Sequence, residues 1–411
     1  MDRDTKQRKQ QALEVVEELA LQINPERSSL ELPLITHLEW DLGIGSLERL
    51  ELTQRLEKAL QCRLPAQAIF SANTLNELLR VVENPEEAGD QVFSPRLPPA
   101  PESLPPFPLE SASCLEALAY QAQHQRDRVL LCLELDGRLE RSLTPQELLE
   151  EAGSLAGGLA ALGVRAGDRV GIMLPTGLPF VATFFAVQWL GAVPVPLYPP
   201  FRPDQAEDYV RRQAAILDNA GVQILVSFAR AWTMAQLLRL HSKSLRELVS
   251  ADSLACAQAP PRHPARLDEL GLIQYTSGST GLPKGVALTH ANLLHNLQAY
   301  GRALQVRSND VVVSWLPLYH DMGLIGSLLG SLYHGVPLVL MGPQDFLARP
   351  SRWLWAIHHY QGTISPAPNF AYEVCARKIP DEELEGLDLS SWRVALNGAE
   401  PVRLDTLQRF S

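Results

Sequence analysis

The first 90 residues show an apolar repeat with helical spacing. A helix is predicted over residues 13–23, and a second one begins at Ser46, whose hydroxyl suits a helix start. The buried side of this second helix consists of Leu47, Leu50 and Leu52. Two shorter helices are predicted over residues 66–70 and 74–82. The pattern therefore predicts a small all-α bundle of four helices.

After residue 110 the pattern changes to short aliphatic runs that alternate with longer stretches of helical spacing. The predicted strands cover residues 129–133, 169–174, 192–197, 223–227 and 310–315. The predicted helices cover residues 144–162, 180–190, 204–220 and 289–304. Alternation of this kind is typical of an α/β domain, and we expect a doubly wound sheet.

A proline-rich segment separates the two patterns. Its prolines are Pro95, Pro98, Pro99, Pro101, Pro105, Pro106 and Pro108. Extended at ~3.1 Å per residue, such a segment spans roughly 50 Å and acts as a semi-rigid linker. The predicted division is therefore a helical domain over 1–90, a linker over 91–109 and an α/β domain over 110–411.

The charge is uneven along the chain. Residues 1–90 carry 10 Lys and Arg against 17 Asp and Glu, which is most of the net charge of −11. This acidic balance argues against nucleic acid as a partner. The uncharged stretch 171–201 is cut by Pro175, Pro179, Pro194 and Pro196, so we expect buried strands and a buried helix rather than an integral membrane segment.

The five cysteines are scattered along the chain without paired spacing. This distribution favours a reducing, cytoplasmic location and argues against a disulfide framework. The charged stretch Met1–Lys9 does not have the pattern of a signal peptide. His358 and His359 lack further ligands nearby in the sequence, and no metal site is predicted.

A loop of small residues follows the strand predicted to end at Tyr275. Its residues are Thr276, Ser277, Gly278, Ser279, Thr280 and Gly281. Glycines permit close backbone approach, successive N–H groups form a cradle for an anion, and Lys284 adds a positive charge suited to phosphate. Lys284 lies between Pro283 and Gly285, which excludes a Walker loop. The loop is therefore predicted to bind a polyphosphate.

The sequence Thr-Ser-Gly-Ser-Thr-Gly-Leu-Pro-Lys-Gly, residues 276–285, resembles the phosphate loop of the adenylate-forming enzymes. These include acyl-CoA synthetases, luciferases and peptide-synthetase adenylation domains. The resemblance implies that the loop holds ATP, used together with Mg²⁺, while a carboxylate attacks the α-phosphorus. Lys284 would then be catalytic, by stabilising charge on the phosphates.

Three later segments resemble the fatty acyl-AMP ligases, which implies a fatty acid substrate. Leu316–Leu324 implies a catalytic role for His320, although a buried core histidine is the alternative from the residues alone. This segment and Ala367–Cys375 imply substrate contacts by Asp321, Met322, Gly323, Asn369 and Phe370. The adenine side is implied to consist of Asn397, Gly398, Ala399, Glu400 and Pro401. Ala367 stands where that branch usually has glycine.

The acidic helical domain, with Leu42-Gly-Ile-Gly-Ser-Leu47 at the start of its second helix, resembles an acyl carrier protein. The resemblance implies that Ser46 carries 4′-phosphopantetheine, attached by a phosphopantetheinyl transferase. Gly45 stands where the family usually has Asp. The alternative is that Ser46 only caps its helix. A carrier also implies downstream carrier, acyltransferase or synthase domains as partners.

The adenylate-forming family usually continues beyond the position of Ser411, so the α/β domain is expected to be incomplete and inactive alone. Three alternatives stay open. They are an acyl-CoA synthetase that uses free CoA, an amino-acid adenylation module, and a nucleotide-binding module without turnover.

Overall fold

The computed structural model describes residues 3–23, 36, 38, 42–44, 46–62, 64, 69, 72, 74–83, 97, 111–135, 137–200, 206–256, 258–276 and 283–410. The chain divides into two compact units, Met1–Phe93 and Ser94–Ser411. Each unit is described separately below.

The first unit is helical, as the apolar pattern predicted. Its helices are α1 (Arg3–Ile23), α2 (Ser46–Leu60) and α3 (Leu75–Glu83). Their buried faces form one core that includes Val16, Leu19, Leu52, Leu56 and Leu78. The Arg49 guanidinium is buried within this unit and donates hydrogen bonds to the carbonyls of Ile69 and Ala72. The predicted helix at 66–70 lies outside the described residues except for Ile69.

The second unit alternates strands and helices. Its strands are β1 (Leu131–Leu135), β2 (Arg138–Leu143), β3 (Arg169–Ile172), β4 (Val193–Pro196), β5 (Ile224–Ser227), β6 (Glu247–Ser250), β7 (Leu270–Thr276), β8 (Lys284–Thr289), β9 (Val312–Ser314), β10 (Leu338–Met341), β11 (Ile364–Ala367) and β12 (Val394–Asn397). The prediction of an α/β domain is confirmed.

The described strands form three sheets. One has the order β12-β11-β9-β10-β1-β2 and is parallel except for β2 at its edge, a second has the parallel order β4-β3-β5-β6, and β7 pairs with β8 in an antiparallel hairpin. The prediction of one doubly wound sheet is therefore wrong. An apolar run marks a buried strand, but it does not say which strands pair.

The helices of the second unit are α4 (Cys114–His124), α5 (Pro145–Ala161), α6 (Leu178–Trp189), α7 (Ala206–Ala220), α8 (Trp232–His241), α9 (His290–Leu304), α10 (Gly330–His334), α11 (Pro343–Ala348), α12 (Ser351–Tyr360), α13 (Asn369–Lys378) and α14 (Leu404–Phe410). Helix α5 begins with a capping box in which Thr144 and Glu147 satisfy each other's backbone N–H groups. The uncharged helix α6 is buried on nearly all sides, so its apolar character belongs to the core. Among the helices that the structure describes, none has both the length and the apolar character for a bilayer crossing.

Residues Met322–Leu329 form a π-helix that continues directly into α10. Glycine is required at position 323, because a Cβ there would lie 2.3 Å from the carbonyl oxygen of Pro317. Helices of this kind are rare and often occur at functional sites, since they displace side chains from the usual α-helical positions. The apolar stretch 323–341 predicts a buried helix in this region, but it does not predict the π geometry.

Candidate active site

The phosphate-loop motif lies at the end of the β7–β8 hairpin. Thr276 and Lys284 are opposite one another in the antiparallel pairing, and both are exposed. Paired residues in such a ladder have Cα atoms about 5 Å apart. The motif predicted Lys284 to be part of the loop, whereas in the structure Lys284 is the first residue of β8. Ser277, Gly278, Ser279, Thr280 and Gly281 lie outside the described residues.

His320 and Asp321 form an ion pair immediately before the π-helix. Nδ1 of His320 lies 2.8 Å from Oδ1 of Asp321, and about half of each side chain is exposed. The hydrogen bond to Asp321 raises the pKa of His320 above its ordinary value, and the same bond lowers the pKa of Asp321. Asp321 also accepts a hydrogen bond from the backbone N–H of Met322 at 2.7 Å. This arrangement stabilises the protonated form of the His320 imidazole relative to the neutral form.

An apolar cavity of about 320 Å³ lies beside the π-helix. Its lining residues include Val306, Val312, Met322, Gly326, Ile364 and Leu396. The polar atoms of Tyr300 and His334 in its wall are occupied by the backbone. The Tyr300 hydroxyl donates to the Gly326 carbonyl at 2.9 Å, and Nε2 of His334 donates to the Leu297 carbonyl at 3.0 Å. The wall therefore offers a ligand mainly hydrocarbon surface.

A second, more open cavity of about 530 Å³ adjoins the first. Its lining includes Leu288, Asn292, Asp321 and Ala399. Met322 and Gly326 line both cavities, so the two meet at the π-helix. The lining of the more open cavity includes the polar residues Asn292, Asn296 and Asp321, whereas the other cavity is mainly apolar. Together they suit a ligand with a polar head and a hydrocarbon tail.

The turn after β12 also borders these cavities. Asn397 and Gly398 line the apolar cavity, and Ala399 lines the open one. Ala399 has a φ of +65°, the left-handed region that non-glycine residues seldom occupy. Glu400 and Pro401 follow at the surface. Since β11 and β12 are parallel neighbours, this turn lies at the carboxyl edge of the sheet, where α/β folds bind ligands.

Asn369 and Phe370 support this turn and are not among the residues that line the two cavities. The buried Asn369 amide oxygen accepts a hydrogen bond from the N–H of Arg403 at 3.0 Å, and the Phe370 N–H donates to Glu400. Gly323 is likewise buried against Pro317 rather than exposed to a cavity. Of the predicted substrate residues, Asp321 and Met322 therefore line the cavities. Asn369 and Phe370 instead support the turn after β12, and Gly323 packs against Pro317.

Sequence reasoning missed Tyr300, Gly326 and His334. The signal that it passed over is the pair Gly326 and Gly330, two glycines four residues apart in an apolar helical run. Within the described ranges, no group of three or more His, Cys, Asp or Glu side chains is arranged to hold a metal ion. In the first unit, α2 begins at Ser46, and its side chain lies outside the description.

Comparison with known protein families gives two matches. The family described as phosphopantetheine attachment site matches residues 17–82, and the family described as AMP-binding enzyme matches residues 118–411. Both resemblances drawn from the sequence motifs are confirmed by these matches.

Individual relatives agree with the family matches. The medium-chain-fatty-acid–[acyl-carrier-protein] ligase JamA of Moorena producens is 35% identical over 306 residues, which are 73% of this chain and 52% of JamA. The corresponding ligase TtuA of Teredinibacter turnerae is 29% identical over 338 residues, covering 73% of this chain and 53% of TtuA. The chain thus spans about half the length of these curated relatives.

A solved structure of a fatty acyl-adenylate ligase from Legionella pneumophila, in complex with acyl adenylate and pyrophosphate, superposes with a TM-score of 0.67. It is 34% identical and covers 74% of this chain and 53% of its own. Because the AMP-binding match extends over well more than half of the residues, this chain belongs to the AMP-binding enzyme family.

Proposed function

We propose that the protein activates a fatty acid with ATP and transfers the acyl group to a phosphopantetheine thiol. The observation that carries the proposal is the apolar cavity that reaches the turn Asn397–Gly398 beside the His320–Asp321 pair. A hydrocarbon tail in this cavity directs a carboxylate head toward the polar residues that line the open cavity. The names of JamA and TtuA, both fatty-acid–carrier ligases, support the same class of substrate.

In the activation step, a carboxylate oxygen of the fatty acid attacks the α-phosphorus of ATP. The new bond joins this oxygen to phosphorus, the bond to the β-phosphate breaks, and pyrophosphate leaves. Lys284 and the backbone of residues 276–281 are proposed to stabilise the charge on the phosphates, which is electrostatic catalysis. His320 is proposed to hold the carboxylate, because its pairing with Asp321 favours the imidazolium. Asn397, Gly398, Ala399, Glu400 and Pro401 are proposed to form the adenine side.

Mg²⁺ accompanies ATP according to the family resemblance. The described residues supply no cluster of carboxylates or imidazoles that fits it, so we assign no step to the metal ion. The chemistry proposed for this chain rests on its own side chains.

The first unit is proposed to be a four-helix carrier over residues 1–90, joined to the α/β domain by a linker over 91–109. Ser46 begins the 15-residue helix α2, where unpaired backbone N–H groups favour a phosphodiester. The arm would supply a thiol whose sulfur attacks the acyl carbonyl, with loss of the thiol proton and departure of AMP. A phosphopantetheinyl transferase is the partner that such a site requires. A downstream carrier, acyltransferase or synthase domain would receive the acyl group.

Intact-mass measurement tests the transfer. The natural protein that carries residues 1–411 is incubated with a phosphopantetheinyl transferase, CoA, ATP and a panel of saturated fatty acids. We expect a mass increase of one arm, followed by an ATP-dependent increase of one acyl group, and neither increase in Ser46→Ala. An unmodified wild-type protein would contradict the carrier assignment. Acyl groups found only on free CoA would favour the acyl-CoA synthetase alternative.

A further inference from the structure

We infer that the absence of a side chain at Gly326 admits the acyl tail to the apolar cavity, whose volume suits substrates of about ten carbons. This inference rests on the function proposed above, since it concerns the cavity that would hold the acyl tail. It is carried by the different surroundings of two glycines in the same helical segment.

Packing requires the second glycine, Gly330. A Cβ at this position would lie 1.5 Å from the Tyr300 hydroxyl oxygen, so only glycine allows α9 to approach the segment this closely. The same hydroxyl donates to the Gly326 carbonyl at 2.9 Å and ties the π-helix to α9. Gly330 is therefore explained by the contact between two helices.

Packing does not require the first glycine, Gly326. A Cβ added there would have no heavy atom within 4 Å outside the neighbouring backbone of its own helix, so the surrounding fold leaves room for the methyl group of alanine. Glycine is also less favourable than alanine within a helix, because it gains more freedom on unfolding. The location of Gly326 gives a better reason for a glycine at this position, since the residue lines both cavities where they adjoin. The missing side chain keeps the passage open.

Met322 lies on the same passage, about one helical turn before Gly326 in the π-helix. It lines both cavities, and its sulfur would lie 3.7 Å from a Cβ at Gly398. Methionine is flexible and adapts to the shape of a neighbouring ligand. Met322 thus borders the passage with a flexible side chain, and Gly326 borders it with none. A side chain at position 326 would narrow the passage.

The apolar cavity beyond the passage limits the tail. A water occupies ~30 Å³ of the liquid and a methylene is of similar size, so a volume of about 320 Å³ holds roughly ten methylenes. The lining also includes Ser331 and Asn397, each with a buried side-chain oxygen that has no hydrogen-bond partner among the described residues, whereas the polar atoms of Tyr300 and His334 are bonded to the backbone. Burial lowers the pKa of His334, which keeps its imidazole neutral, and Tyr300 is committed to the π-helix.

The test compares Gly326→Leu and Gly326→Ala with wild type in the natural protein, using pyrophosphate release with hexanoate, decanoate and tetradecanoate. For wild type we expect the highest kcat/KM with decanoate. For Gly326→Leu we expect the ratio of kcat/KM for decanoate over hexanoate to fall about tenfold or more, because loss of apolar contacts in a pocket has effects of this size. Gly326→Ala should shift the ratio in the same direction by less.

Ala161→Leu is the matched control, because it adds an apolar side chain at an exposed position at the end of α5. It should leave the ratio unchanged, and thermal melts of all variants establish that they fold. An unchanged ratio in folded Gly326→Leu and Gly326→Ala would overturn the inference while the proposed function stands. Absence of pyrophosphate release by wild type with every acid would instead refute the proposed function.

Discussion

The hydroxyl of Tyr300 donates a hydrogen bond to the backbone carbonyl of Gly326, with 2.9 Å between the two oxygens. The bond connects α9, which follows the hairpin with Lys284, to the π-helix that begins beside His320. Since the ring of Tyr300 also forms part of the cavity wall, one side chain both holds the π-helix in place and shapes the apolar site. Burial raises the pKa of this phenol, so it remains a donor at every pH used for assays.

Tyr300→Phe removes this hydrogen bond and leaves the ring in place. We expect the free energy of unfolding to fall by about 1 kcal/mol, the usual net value of one such bond. Urea unfolding followed by circular dichroism measures it. A variant as stable as wild type would show that the bond does not hold the π-helix.

Lys284→Ala tests the assignment of the phosphate site. Lys284 is exposed at the start of β8, so its removal should leave the melting temperature nearly unchanged. Pyrophosphate release by the natural protein should slow by about 10²–10³, as expected for the loss of one well-placed electrostatic contact. Lys243→Ala is the matched control, because Lys243 is also exposed but lies far along the chain from the hairpin. Equal rates in both variants would argue against a role for Lys284.

Asp321→Asn tests the pairing with His320. Without the carboxylate, the pKa of His320 should fall toward its ordinary value, which an NMR titration of the imidazole C–H signals measures. Retention of the raised pKa in Asp321→Asn would contradict the pairing.

The same pair also makes a pH-dependent contribution to stability. Because the pKa of His320 is raised, its contribution to the free energy of unfolding is present at low pH and is lost as the pH rises through that pKa. Because the pKa of Asp321 is lowered, its contribution is lost on acidification through that pKa. Both contributions to stability are present between about pH 4 and pH 6.5, the ordinary pKa values of aspartate and histidine. The stability difference between wild type and Asp321→Asn should therefore be larger at pH 5 than at pH 8, and below about 1 kcal/mol because the pair is half exposed.

Asp310→Ala tests how the sheet edge that carries Asn397 is held. Asp310 is 1% exposed, accepts from the Thr363 hydroxyl at 2.7 Å and pairs with Arg393 at 2.7 Å. Thr363 precedes β11 and Arg393 precedes β12, so one carboxylate ties both strands. We expect a loss of about 2 kcal/mol in the free energy of unfolding, because the Arg307 N–H and the Thr363 hydroxyl both lose their carboxylate acceptor. Asp381→Ala, at an exposed position, serves as the control. Equal stability of the two variants would contradict the role of Asp310.

Local signals in the sequence predicted the elements well. Thr144 followed by Pro145 marked the start of α5, and the structure has its capping box there. The apolar run that includes Phe184 and Phe185 was expected to be a buried helix, and both side chains are fully buried in α6. These predictions succeed because capping and burial depend on neighbours in the chain.

The arrangement of the cavity was beyond such signals. Tyr300 and Gly326 are joined only when α9 packs against the π-helix, and neither residue belongs to a motif. The close approach of Gly323 to the Pro317 carbonyl at the start of the π-helix was not indicated by the sequence pattern either. Substrate contacts by Asn369 and Phe370 stay a prediction, and the sequence did not indicate that the same residues support the turn at Glu400.

Formation of a fatty acyl-adenylate tests the central claim most directly. The natural protein is incubated with ATP and an equimolar mixture of fatty, aromatic and amino acids, and the small-molecule fraction is analysed by mass spectrometry. We predict ATP-dependent fatty acyl-adenylate, with decanoyl-adenylate the most abundant, and its loss in Lys284→Ala. An adenylate of an amino acid or an aromatic acid without any fatty acyl-adenylate would contradict the account, and so would the absence of every adenylate.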